Sequence, residues 1–169
     1  MSTQLSVLAL DLSSKTGWAA LDHEGTMTSG VQHFPLRRGE SPGMRWLRFR
    51  RWLRELISLT CPAVIAVELP LVGAKGKSMG IGRELQTIVE EEAAARAIET
   101  TGLYPSQLKK HATGKGNASK PEMQAAAQER WGVEPADDNE ADALCVLAWA
   151  LEEIGQAALI AEHLRRQHG

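Results

Sequence analysis

The chain has only two cysteines, one tyrosine and two phenylalanines in 169 residues. Two thiols exclude a disulfide framework and a zinc site built from cysteine pairs. No apolar run approaches the ~18 residues a membrane span requires. The start, Met1-Ser2-Thr3-Gln4-Leu5-Ser6, lacks the basic segment and cleavage site of a secretory leader, so a cytoplasmic protein is expected. Charge of one sign is missing too: 19 Lys+Arg face 21 Asp+Glu, a formal net charge of −2. The overall basic excess common in nucleic-acid binders is therefore absent. There is no Gly-x-Gly-x-x-Gly fingerprint and no Gly-x-Ser-x-Gly elbow. Gly76-Lys77-Ser78 resembles the end of a phosphate loop, but Leu71 stands where its first glycine belongs. No nucleotide cofactor is expected. The five histidines show no ligand-like pairing beyond His163 and His168, near the C-terminus.

What is present is ordinary globular composition, 43% hydrophobic and 24% charged, which excludes global disorder. The length suits one domain, residues 1–169, with 155–169 as a C-terminal helical tail. The charge is sorted by position. Between Arg37 and Arg54 stand seven arginines, with Glu40 and no other acid among them. Lys75, Lys77 and Arg83 form a second basic group, and Lys109, Lys110, Lys115 and Lys120 a third. Segregation of this kind creates a positive surface on a nearly neutral molecule. Interleaving with Trp46, Phe49 and Trp52 favours phosphate contact over a merely solvated face. The candidate phosphate contacts are Lys15, Arg45, Arg48, Arg51, Lys75, Lys77, Lys109, Lys110, Lys115 and Lys120.

Hydrophobic patterning orders the elements. Leu5 to Leu12 is a short apolar run ending at an acid, suited to a buried central strand. Ser13 to Gly17 reads as a turn, Trp18 to Leu21 as a second strand, and a third strand ends near Phe34. Met44 to Leu59 is an amphipathic helix whose positions 46, 49, 53, 56 and 57 face inward. Ala63 to Glu68 is another buried strand, stopped by Pro70. Leu71 to Gly82, with four glycines, reads as a loop. Arg83 to Thr100 reads as a helix ended by Gly102, followed by a short strand at Leu103 to Pro105 and a brief helix capped by Ser106. Ser119 and Glu122 form a capping box for a helix that Gly132 closes. Asp137 or Asp138 opens a final helix through Ala150 and on toward Arg166, with Gly155 as a break. The fold class expected is α/β: a mixed five-stranded sheet with helices on both faces.

Two of these strands end on carboxylates, Asp11 and Glu68. Buried carboxylates need a cation, a metal or hydrogen-bond donors. Asp138 and Asp142, four residues apart on the final helix, share one face and repel unless a cation lies between them. Carboxylates from two strands and one helix suit a hard divalent metal such as Mg²⁺, which also takes water and phosphate oxygens as ligands. Paired ions of that kind serve phosphodiester cleavage.

The motifs resemble those of RuvC-like Holliday-junction resolvases. Val7-Leu8-Ala9-Leu10-Asp11-Leu12-Ser13-Ser14-Lys15-Thr16-Gly17-Trp18-Ala19 is similar to the family's opening strand, turn and strand, and Ile65-Ala66-Val67-Glu68 to its second acidic strand. The stretch from Pro105 to Lys120 resembles its segment of two lysines around Gly-x-Gly, and Glu140-Ala141-Asp142-Ala143-Leu144 its terminal acidic helix. The resemblance implies a ribonuclease-H-like fold. It implies a homodimer that binds four-way DNA junctions and nicks two opposed strands with Mg²⁺ or Mn²⁺, two ions per site, leaving 5′-phosphates. It carries Asp11, Glu68 and Asp142 into the metal site. The fourth position falls to Asp138, with Asn139 as the alternative because an acid often stands there in the family. Lys109 and Lys120 match basic positions beside DNA. The arginine-rich helix and short length look most like phage-type members, which would place the protein in a host cytoplasm. The loop around Lys75 and Lys77 would reach the junction centre, and Leu85, Ile88 and Val89 are either dimer interface or core.

Three other functions compete. An actin-like or sugar-kinase ATPase shares the strand–Asp–turn–strand opening but needs two such domains, for which the chain is too short. A nuclease of the same fold could act on other branched or single-stranded nucleic acid. A catalytically silent junction-binding protein would not need the intact acidic set.

Overall fold

The computed structural model describes residues 5–71 and 77–168. Five strands form one sheet: β1 (Val7–Asp11), β2 (Lys15–Leu21), β3 (Met27–His33), β4 (Val64–Glu68) and β5 (Glu99–Leu103). Their order is β3-β2-β1-β4-β5. The first three are an antiparallel meander, while β4 and β5 run parallel to β1. Tight turns allow the meander; the parallel strands need helical crossovers.

The crossovers are α1 (Pro42–Thr60) and α2 (Lys77–Ala94), and the chain ends in α3 (Pro105–Thr113), α4 (Lys120–Trp131), α5 (Asp138–Glu153) and α6 (Ala158–His168). Successive strand residues face opposite sides. Leu8, Leu10, Ile65 and Val67 join Phe49, Leu53, Leu56, Ile57, Leu85 and Val89 in the core under α1 and α2. Val7, Ala9, Val64 and Ala66 face Ala141, Leu144, Cys145 and Ala148 of α5 in the opposite core. The same alternation sends Asp11 and Glu68 to the α5 side. Among the described residues, no helix is long and apolar enough to cross a membrane.

Several expectations are corrected. Lys15, Thr16 and Gly17 belong to β2, not to a turn. Helix α2 begins at Lys77, inside the stretch read as a loop, and ends at Ala94. The expected helix to Thr100 is thus replaced by a turn, in which Ala97 adopts φ 54°, and by β5. Gly102 is not a helix stop. It lies in β5, where a Cβ would come within 2.9 Å of the Leu69 side chain and the Val67 carbonyl oxygen. Helix α3 is entered through Tyr104, whose N–H donates to Gln107 Oε1, rather than through Ser106. The break expected at Gly155 is present: with φ 73° it parts the last stretch into α5 and α6. Of the two readings of Leu85, Ile88 and Val89, core holds: all three are buried within the chain. Cys61 is exposed, at the left-handed C-cap of α1.

Ser119 and Glu122 do cap α4: the Ser119 hydroxyl accepts from the Glu122 N–H, and Glu122 Oε2 accepts from the Ser119 N–H at 2.8 Å. Gly132 ends it with φ 69°.

Candidate active site

Asp11 and Glu68 close adjacent parallel strands whose register, through Leu10 opposite Val67, brings them side by side. Over their ends lies the N-terminus of α5. Asp137 is its N-cap, accepting from the Glu140 N–H at 3.0 Å, and Asp138 and Asp142 follow one turn apart. Gly17, opposite Asp11 in β2, makes this approach possible. A Cβ there would lie 1.9 Å from the Asn139 carbonyl oxygen.

Burial and mutual repulsion set the protonation of the cluster. Desolvation, then the charges of Glu68, Asp142, Asp138 and Asp137, raise the Asp11 carboxyl well above the usual range. Desolvation, then Asp142, pushes Glu68 up to about 7, against a lowering influence from Lys109. Desolvation and Asp138 bring Asp142 to about 6, opposed by Lys109 and Lys120. Carboxylates drawn together at this cost call for positive charge between them. An all-oxygen, anionic donor set fits a hard dication. Among the described residues no three acidic, His or Cys side chains close into a metal-ready group. The cluster is therefore open, and a dication held by it would need water or substrate oxygens as further ligands.

The remaining members are distinguished by their partners. Asp138 Oδ2 lies 2.5 Å from Lys120 Nζ, and Asp137 Oδ2 lies 2.6 Å from Lys15 Nζ. Asn139 directs its side-chain amide to Asp137 at 3.4 Å. Glu140 faces away from the cluster, accepting from Ser29 Oγ and the Ala136 N–H, both at 2.7 Å. Beside Asp11 and Glu68 a cavity of about 230 Å³ opens between Leu12, Leu69, Gly82 and Pro105.

The expected DNA contacts divide. Lys109, Lys110, Lys115 and Lys120 stand on α3, the following loop and the start of α4, with Lys109 and Lys120 close enough to act on the acids. Lys115 pairs with Glu122 at 3.1 Å. Arg45 donates through Nε to the Phe34 carbonyl, and Arg48 pairs with Glu40. Arg51 is exposed and has no ion-pair partner among the described residues. Lys75 and the side chain of Lys77 lie outside the described residues.

Sequence reading missed two features. One is Glu92, 3% exposed, on which Arg50, Arg54 and Arg96 converge at 2.6–3.0 Å. Two of the seven clustered arginines, Arg50 and Arg54, thus tie α1 to α2. The other is Gly17, whose signal was a glycine inside a strand, a known mark of close backbone approach.

A mixed sheet in this order, with carboxylates from its first strand, that strand's parallel neighbour and a covering helix, defines an α/β nuclease fold of the ribonuclease-H-like type. No family model matches the chain. Over 142 residues it is 30% identical to the crossover junction endodeoxyribonuclease RuvC of Anaeromyxobacter dehalogenans strain 2CP-C, covering 83% of this chain and 77% of that protein. The chain belongs to the RuvC family of crossover junction endodeoxyribonucleases. Thermus thermophilus RuvC in complex with a Holliday junction substrate superimposes with a TM-score of 0.73 at 19% identity, over 90% of this chain and 97% of that one. Another structure of Thermus thermophilus RuvC gives 0.69 at 18% identity, over 90% and 98% of the two chains.

Proposed function

We propose that the protein is a structure-selective DNA endonuclease that resolves four-way junctions by paired nicks, with Asp11, Glu68, Asp138 and Asp142 as its metal-holding residues. The observation that carries this is the convergence of Asp11, Glu68 and Asp142, each held above its ordinary protonation range by burial and by its neighbours, in a chain of the RuvC family.

Mg²⁺ or Mn²⁺, two ions per site, would supply the charge that activates water and neutralises the departing 3′-oxygen. The protein's own part is electrostatic placement. Asp11, Glu68 and Asp142, whose charges act on one another, would hold the ions, and Asp138 would complete the set. Lys109, between Glu68 and Asp142 in its influence, orients the phosphate without needing a contact to the base. Lys110 and Lys115 extend the phosphate-binding surface, and exposed Arg51 on α1 is a separate candidate phosphate contact. A homodimer would present two such sites to a two-fold substrate, which suits symmetric nicking.

The test is cleavage of four-way junction, duplex and single-stranded DNA in competition, with strand ends mapped. Paired nicks in opposed strands of the junction, with 5′-phosphate ends, are expected. Equal cleavage of all three substrates would refute junction selectivity.

A further inference from the structure

We propose that Lys120 is an exchangeable counter-ion of the acidic cluster, holding Asp138 until a dication takes that carboxylate and then passing to a DNA phosphate. The inference rests on the reading of Asp138 as part of a dication site.

Lys120 Nζ lies 2.5 Å from Asp138 Oδ2, yet its side chain is 78% exposed. Its backbone is fixed, because Lys120 is the first residue of α4, directly after the Ser119–Glu122 capping box. Only the side chain has to swing. Asp138 stands one turn from Asp142, so its carboxylate belongs to the group that crowds Asp11. An ammonium and a dication compete for the same oxygen lone pairs, and a directly bound dication leaves little room for the lysine at hydrogen-bond distance. Displaced, Lys120 becomes a free cation at the mouth of the site, where a phosphate must come. By linkage, DNA that captures the freed ammonium tightens dication binding by the same factor.

The neighbouring pair is built differently. Asp137 uses Oδ1 to cap α5 through the Glu140 N–H, while Lys15 holds Oδ2 at 2.6 Å. That carboxylate is committed to the helix terminus, so Lys15 stays in place when a dication binds. The two lysines carry equal charge near the same acids, but only Lys120 sits on a carboxylate that a dication needs.

Calorimetric titration of the intact protein with Mn²⁺, in the absence of DNA, separates these roles. Lys120→Met is expected to bind Mn²⁺ about two- to fivefold more tightly than wild type, the range of an exposed ion pair, and Lys15→Met to bind as wild type does. Junction affinity measured by anisotropy is expected to rise on adding Ca²⁺ for wild type, and to rise less for Lys120→Met. Unchanged or weaker Mn²⁺ binding by Lys120→Met overturns the exchange. Equal tightening in Lys15→Met also overturns it, because the effect is then one of general field. Wild type that binds no Mn²⁺ would refute the dication site itself, whereas a metal-binding wild type with an unaltered Lys120→Met removes only the exchange.

Discussion

Gly17 and Asn139 touch backbone to backbone: a Cβ on Gly17 would lie 1.9 Å from the Asn139 carbonyl oxygen and 2.8 Å from the Glu140 nitrogen. This contact sets how closely the start of α5 descends on the end of β1, and therefore how near Asp138 and Asp142 come to Asp11. Gly17→Ala must push the helix outward. Overpacking of this kind costs about 1–3 kcal/mol, and a displacement near 1 Å at a reacting centre costs on the order of 100-fold in rate. Chemical denaturation and junction cleavage should show both losses. A Gly17→Ala protein with wild-type cleavage would mean that α5 is not held by this contact.

The acidic cluster makes the metal-free protein lose stability as pH rises from acid to neutral. Glu68 and Asp142 have protonation midpoints of about 7 and about 6 in the folded state, against ~4 for unfolded carboxylates. Groups raised on folding contribute stability below pH ~4 that is lost as pH rises through 6 and 7. In EDTA, the protein should therefore lose stability from pH 4.5 to 7.5. Glu68→Gln should be more stable than wild type at pH 7.5, by on the order of 2 kcal/mol. Added Mg²⁺ should restore the wild type and do little for the variant. Thermal unfolding across pH, with and without Mg²⁺, checks the sign.

Glu92 behaves in the opposite sense. Arg54 first, then Arg50 and Arg96, hold its carboxyl at about 2 despite opposing desolvation. Its contribution is present above pH ~4.5 and lost as pH falls toward 2. Glu92→Ala leaves three guanidinium groups without their shared acceptor and should destabilise the fold by about 1–3 kcal/mol, as read from a urea midpoint. Junction selectivity should survive in the folded fraction.

Arginines of one cluster should separate in their response to salt. Arg48 pairs with Glu40, whereas Arg51 is exposed and unpaired among the described residues. Arg51→Ala should reduce the slope of log affinity against log salt by about 1, the signature of one lost phosphate contact. Arg48→Ala should lower stability and leave that slope in place.

The strand carboxylates were legible before any coordinates because β1 and β4 are short, apolar and end on an acid. Alternation even assigns Asp11 to the face of Val7 and Ala9, and Glu68 to that of Val64 and Ala66. Ser119, Glu122 and Gly132 were legible because caps are local. A fifth strand was legible but placed too late, at Leu103 to Pro105, because the turn that parts α2 from Glu99–Leu103 carries no glycine or proline and puts positive φ on Ala97, a residue that rarely adopts it. The start of α2 was hidden by Gly80 and Gly82, which ordinarily oppose a helix. The partner of Arg50 and Arg54 lies about 40 residues away, at a distance no local pattern reports.

The most direct test is cleavage of a synthetic four-way junction by Asp11→Asn and Glu68→Gln, with binding measured in parallel. Both variants should bind the junction as well as wild type or better, since each removes a negative charge facing DNA, and both should lose cleavage in Mg²⁺ and Mn²⁺ by at least ~100-fold. Undiminished cleavage by both variants would contradict the assignment of these carboxylates to the metal site.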